Sequence, residues 1–283
     1  MGRDNRGGAD PGAAAGAGAD AAVANEGEQH PLFVLHGGVG LAWPYMSLLP
    51  ELPADLPVLG LQADFNRYGP HGEFGIRDLA AAYLHRIRSV QSHGPYRLLG
   101  WSFGGLVAHA VAEALEAIGE TVEYLGILDA YPLLEAEAIP SEDWVLGQLL
   151  RLDTGDALAP KLAGAIRELD YAAIARAWKQ HGGGLSDLGE EGLRRVVRVT
   201  RAHADMGQRF RPGQVNADIQ LVVATLEAET PADPEQSWAA HTRGRVRAIP
   251  VPARHDDLLA PDEVRGYADA LLAELKGPAH VAS

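Results

Sequence analysis

The sequence predicts an α/β fold: a mostly parallel central sheet flanked by helices, with a helical lid insertion. Three observations lead there. Short apolar runs alternate with stretches whose apolar residues recur every three or four positions, the pattern of strands alternating with amphipathic helices. A tight turn, Gly100-Trp101-Ser102-Phe103-Gly104, joins one such run to one such helix. A long stretch, Leu133 to Gln214, then carries helical patterns and no strand-like run.

Residues 1–29 are almost all Gly, Ala and short polar residues. They offer too little apolar surface to offset the entropy of ordering, and read as a flexible linker. Alanines broken by glycines and aspartates do not make the apolar core of a signal peptide. The first part of the core, residues 30–132, opens with the apolar run Pro31–Leu35, followed by His36-Gly37-Gly38-Val39-Gly40. Trp43 and Tyr45 begin the next helical segment, and Leu56–Leu61 is the second strand. Ile76, Leu79, Ala80, Tyr83, Leu84, Ile87 and Val90 mark an amphipathic helix by their spacing. A strand over Tyr96–Leu99, a helix over Leu106–Ala117 and a strand over Thr121–Leu128 complete this part. Such alternation implies parallel strands joined by right-handed crossovers.

Residues 133–214 form the insertion, with helical segments around Asp143–Leu152, Pro160–Glu168, Tyr171–Gln180 and Glu190–Phe210. Leaving and re-entering at the sheet's C-terminal edge, it is expected to act as a lid. Gly182, Gly183 and Gly184 read as a flexible joint within it. The second part of the core, residues 215–277, holds strands at Ile219–Thr225 and Val246–Val251 and a helix from Asp262 to Leu275. Residues 278–283 are a tail.

Strand, Gly-x-Ser-x-Gly, helix is the nucleophile elbow of an α/β-hydrolase. The turn holds the Ser102 hydroxyl clear of the sheet at a helix N-terminus, where the dipole favours negative charge. A histidine between the last strand and last helix supplies the base in this fold, and His255 has that place. For the acid, Asp129 ends the strand after the elbow, while Glu227 and Glu229 follow the next strand. The order Ser…Asp/Glu…His fits any of the three. Glycines after His36 let backbone N–H groups turn inward as one half of an oxyanion hole, with the N–H of Phe103 as the other. Trp43, Tyr45, Trp101, Trp144 and Trp178 are candidate substrate contacts. His203 and Asp205 read as an exposed face of the longest helix.

Composition narrows the function classes. The formal net charge of −14 excludes the basic face a nucleic-acid binder needs. With 0 cysteines there is no thiol nucleophile, no disulfide and no Cys-based zinc site, which fits a reducing compartment such as the cytoplasm. No apolar run is long enough to span a membrane.

The segments LFVLHGGVGLAWPY, YRLLGWSFGG, LGILDAYP, the helical insertion and RHDDLLAP occur in that order. Together they resemble a type I thioesterase domain, the release domain at the C-terminus of nonribosomal peptide synthetases. The resemblance covers residues 31 to 275. GWSFGG and the aromatic-rich segment after His36 are more similar to the peptide-synthetase branch than to the polyketide branch, whose elbow more often has His before the Ser. The resemblance implies that Asp129 is the acid and that the backbone N–H groups of Gly38 and Phe103 are the oxyanion donors. It also implies a substrate delivered on the phosphopantetheine arm of an upstream peptidyl carrier protein domain, with no metal and no bound cofactor. Release would follow by hydrolysis or macrocyclisation. A stand-alone or editing thioesterase or esterase of the same fold, and a polyketide synthase release thioesterase, are the alternatives. Two positions depart from the family pattern. Gly37 stands where Pro is frequent after the motif His, and Ala253-Arg254 leads into His255 where a Gly often stands two residues back.

Overall fold

The structure is a computed structural model that describes residues 21–24, 29–65, 74–132, 138–226 and 231–275. Among the described residues seven strands form one sheet. They are β1 (Ala21–Ala24), β2 (Leu32–Leu35), β3 (Val58–Leu61), β4 (Tyr96–Trp101), β5 (Val122–Leu128), β6 (Ile219–Ala224) and β7 (Val246–Val251), in the spatial order β1-β3-β2-β4-β5-β6-β7. Six strands run parallel, and β1 pairs antiparallel with β3 at the edge.

The alternating side chains of each strand go to opposite faces, and both faces are covered. Phe33 and Leu35, Tyr96 and Leu98, and Leu221 and Val223 pack beneath α1 (Ile76–Val90) and α2 (Phe103–Ala117). Leu32 and Val34, Leu99 and Trp101, and Val222 and Ala224 pack on the other face, against α8 (Pro261–Leu275) and a 3₁₀ segment over Trp43–Glu51. The insertion folds as α3 (Glu142–Thr154), α4 (Ala163–Arg167), α5 (Tyr171–His181) and α6 (Gly189–Arg209) around a core of its own. Helix α6 belongs to both bodies: Leu193, Val196 and Val197 enter the lid core, while Val199 and Met206 join the main core.

The expected strands and helices are present, with three differences. Part of the stretch read as linker, Ala21–Ala24, is an edge strand. An edge ladder is made of backbone N–H and C=O groups, so side-chain pattern gives no sign of it. A short helix, α7 (Pro234–Ala239), precedes β7 and buries Trp238; at 6 residues it is too short to show a period. Helix α2 begins directly after Ser102 rather than at Leu106. Among the described residues no helix is long and apolar enough to cross a membrane, and no three metal-ligating side chains gather.

Candidate active site

Parallel strands end at one edge of the sheet, and there the chain turns that carry chemistry meet. Strand β4 ends at Trp101, paired in register with Leu128 of β5. The next residues are Ser102 and Asp129, so register alone makes them neighbours. Ser102 N–H donates to the Leu128 carbonyl at 2.9 Å. Its backbone is left-handed (φ 56°, ψ −128°), the strained elbow expected, and α2 starts at the following residue. Two close approaches make the elbow possible. A Cβ on Gly100 would overlap the Gly104 backbone, and one on Gly104 would overlap the backbone of Leu35 and His36.

Asp129 also has positive φ, 46°, in a region that short polar side chains tolerate. The carboxylate is 7% exposed and fully engaged. Oδ1 accepts from the Tyr131 hydroxyl at 2.9 Å and from the Ala224 N–H at 3.1 Å. Oδ2 accepts from His255 Nδ1 at 2.8 Å. A carboxylate can only accept here, so Nδ1 carries the proton and Nε2 is the basic nitrogen. His255 begins a 3₁₀ turn over His255–Asp257. Trp101 holds it twice: the indole N–H donates to its carbonyl at 3.2 Å, and the two rings lie 5.5 Å apart. Tyr131 and the Ala224 N–H are partners that motif reading did not find. A neighbouring OH and a strand-end N–H leave no spacing signal.

The loop after β2 is tied down by an imidazole. His36 is wholly buried, and burial pushes its pKa down to about 4, with the Arg86 guanidinium acting in the same direction. Its Nδ1–H donates to the Gly37 carbonyl at 2.8 Å, and Nε2 accepts from the Tyr83 hydroxyl at 2.6 Å. The Gly37 carbonyl also accepts from Gly40 N–H at 3.0 Å. Across a trans peptide the next N–H points the opposite way, so the Gly38 N–H is aimed away from both donors. The absence of Pro at 37 has a local cause. A Cβ there would sit 2.9 Å from Cε3 of Trp101. Phe103 is the first residue of α2, and its N–H belongs to the turn that has no partner inside the helix.

The aromatic candidates divide. Trp101 backs His255, as above. Tyr45 is 1% exposed; its hydroxyl donates to the Leu35 carbonyl at 2.7 Å and accepts from Trp101 N–H at 2.6 Å, so it braces β2 against the elbow. Trp178 is 1% exposed in the lid core, donating to Asp153 Oδ2 at 2.7 Å. Both are packing residues, a correction to their reading as substrate contacts. Trp43 is partly buried against the lid core, and Trp144 is exposed on α3. The expected joint at Gly182–Gly184 is anchored: Asp153 Oδ1 accepts from Leu185 N–H at 3.2 Å, on the carboxylate that holds Trp178. Glu227 and Glu229 lie outside the described residues.

His203 differs most from its reading. It is fully buried, not exposed, and its Nδ1–H donates to the Gly38 carbonyl at 2.7 Å. The signal was present. His203 continues the three- and four-residue series Val196, Val199, Met206 that faces inward along α6. Asp205 is paired with Arg209 one turn on, at 2.6 Å.

Comparison with known proteins bears on the family and the fold. The family model described as Thioesterase domain matches residues 30–275. A dimodular nonribosomal peptide synthase of Bacillus subtilis (strain 168) is 32% identical over 256 residues, covering 88% of this chain and 10% of that protein. Malpibaldin synthetase of Mortierella alpina is 30% identical over 243 residues, covering 84% of this chain and 4% of that one. The chain therefore spans a tenth or less of the length of these relatives. A solved NocB thioesterase domain, in covalent complex with a fluorophosphonate nocardicin G analogue, superposes with a TM-score of 0.64. It is 25% identical, with 88% of this chain and 96% of that chain covered. The thioesterase domain of surfactin cyclisation, 20% identical, shares the fold with a TM-score of 0.62 over 88% of this chain and 93% of that chain. By its matched model and by the synthetase relatives it resembles over most of its length, this chain belongs to the thioesterase domain family, on an α/β-hydrolase fold.

Proposed function

We propose that the chain is a release thioesterase working through a serine acyl-enzyme, with Ser102 as nucleophile, His255 as base and Asp129 as acid. One observation carries this reading: the His255 Nδ1–Asp129 Oδ2 bond at 2.8 Å, formed by residues that the β4–β5 register brings beside the Ser102 elbow. His255 Nε2 takes the proton of Ser102 as Oγ attacks the thioester carbonyl. Asp129 holds the imidazole in this tautomer and stabilises its cation. The N–H groups of Gly38 and Phe103 receive the oxyanion. As the tetrahedral intermediate collapses, the thiol leaves with the proton from His255, giving an ester on Ser102. Water or a hydroxyl or amine of the acyl chain, deprotonated by His255, then attacks that ester and frees Ser102. The product is a free acid or a macrocycle.

The substrate is a peptidyl thioester on the phosphopantetheine arm of a carrier protein, in the cytoplasm. The synthetase relatives support this delivery. An acid after β5 rather than after β6 supports a release domain over a stand-alone esterase, by the family pattern.

The test has two arms. A fluorophosphonate should add once to the wild type, at Ser102 by peptide mass mapping, and not to Ser102→Ala. A carrier-bound peptidyl thioester should then be cleaved faster than the matching simple ester. Equal rates would favour the stand-alone esterase reading.

A further inference from the structure

The carbonyl of Gly38 is held by the lid. His203 projects from α6 into the space between the loop after β2 and the start of α2. Its ring stacks on Phe103, centroids 4.3 Å apart at 14°, and on His36, 5.0 Å apart at 22°. The Gly38 carbonyl can only accept, so His203 donates from Nδ1. Burial, and then the neighbouring His36, hold its pKa well below the usual imidazole range, so the ring is neutral at working pH.

Two peptide planes meet at the Gly38 α-carbon, and each is fixed by an imidazole. His36 and the Gly40 N–H hold the Gly37 carbonyl, which sets the direction of the Gly38 N–H. His203 holds the Gly38 carbonyl, which sets the second plane. A Cβ at Gly38 would meet nothing within 4 Å. The space on the side-chain face of Gly38 is therefore open, and the hydrogen bonds to the two carbonyls fix the peptides on either side of it. One of those bonds comes from the body of the protein and the other from the insertion. A second tie runs the same way: Gln148 of α3 donates to Asp256 Oδ2 at 2.6 Å, directly beside His255.

We propose that His203 is a positioning residue for the oxyanion hole, so that the hole is complete only while lid helix α6 is seated on the loop after β2. The proposal rests on Gly38 being an oxyanion donor in the serine mechanism above. It makes the insertion part of the catalytic apparatus. A lid displaced at α6 would release the Gly38 carbonyl and free the Gly38–Val39 peptide, the centre of the turn in which the Gly40 N–H holds the Gly37 carbonyl. As that turn loosens, the plane carrying the Gly38 N–H loses one of its two ties, and oxyanion binding weakens before any acyl chain is transferred.

The experiment compares wild type, His203→Phe and His203→Asn, with hexanoyl-N-acetylcysteamine as thioester and 1,1,1-trifluorooctan-2-one as tetrahedral mimic. Phe keeps the stack on Phe103 and removes the donor. Asn places an amide N–H near the position of Nδ1. His203→Phe should lose about 10- to 100-fold in kcat with KM within about twofold, below the loss seen when an oxyanion donor itself is removed. Its affinity for the ketone should fall by the same factor, and His203→Asn should recover most of both. Melting temperatures separate this from general loosening. Full kcat in His203→Phe overturns the proposal. So does a loss shared equally by both variants, tracking melting temperature and leaving ketone affinity unchanged. Failure of the underlying reading looks different: Ser102→Ala would then retain turnover of the same thioester.

Discussion

The Trp101 indole donates its N–H to the carbonyl of His255 at 3.2 Å. The residue before the elbow serine thus holds the loop of the histidine that meets Asp129, and the ring lies along the imidazole. Trp101→Phe keeps most of that apolar surface and deletes the donor. It should destabilise the fold by about 1–2 kcal/mol, from one lost hydrogen bond and a small void. Acylation of Ser102 should slow about tenfold because the imidazole is less well placed. Urea unfolding and time-resolved intact-protein mass would read the two effects. Unchanged acylation would mean that the bond serves packing alone.

Asp129→Asn should leave the accepting bonds from Tyr131 and Ala224 available through the amide oxygen, while removing the charge that faces His255. The loss in kcat should be on the order of 10⁴, as when the orienting carboxylate of a serine triad becomes an amide. Glu227→Gln and Glu229→Gln should behave as wild type in the same assay. A dead Glu variant beside an active Asp129→Asn would move the acid to the loop after β6.

Gln148→Leu tests the second lid tie. A lid that only roofs the site would alter the ratio of cyclised to hydrolysed product and leave loading of Ser102 alone. Because Gln148 holds Asp256, loading itself should slow, by about three- to tenfold for a modest displacement of His255. Loading at the wild-type rate with an altered product ratio would return the lid to a roof.

Acid should unfold the protein through its buried imidazoles. His36, His109 and His203 are fully buried. Burial lowers His36 and His109 to about 4 and His203 well below its usual value. In the unfolded chain each titrates near 6.5, so between about pH 6.5 and 4 the unfolded state binds protons that the native state refuses. Their stabilising contribution is complete above pH 6.5 and is lost as pH falls toward 4, at about 1.4 kcal/mol per pH unit for each histidine. His109 lies away from the site, bonded to the His241 carbonyl. His109→Leu should therefore flatten the pH slope of stability by about one proton, whatever it costs at pH 8. Urea midpoints at pH 7.5, 6 and 5 give the slopes, and equal slopes in the two proteins would refute the assignment.

Much of this was legible in the chain. Periodicity located β2 to β7 and every helix but α7, since each of those segments is long enough to show its repeat. The elbow could be read because its pattern is local: Gly100 and Gly104 flank Ser102 within a few residues, although the backbone that Gly104 approaches is that of Leu35 and His36 at the end of β2. His255 was singled out by its position between the last strand and the last helix, whereas position left Asp129, Glu227 and Glu229 open and the family resemblance pointed to Asp129. Tyr45 and Trp178 were misjudged because an aromatic near a site and an aromatic under it look alike in one dimension. His203 was misjudged for a related reason. A polar residue on an apolar stripe was given to solvent, although its spacing matched Val199 and Met206.

By itself the sequence determined the order of strands and helices and the strained serine turn, and it limited the candidate acid to the ends of two strands and the candidate base to the loop before the last helix. These depend on interactions between residues a few positions apart, or on the handedness of a parallel crossover. Only the tertiary structure decided what holds those groups in place. The partners of Asp129, the brace of Trp101 on His255, and the lid contacts of His203 with Gly38 and Gln148 with Asp256 join residues 95 to 165 positions apart where they leave the local turn. Such contacts have no period and no motif. A hydrogen bond depends on distance and direction in space, and those exist only once the sheet and the inserted helices have packed against each other.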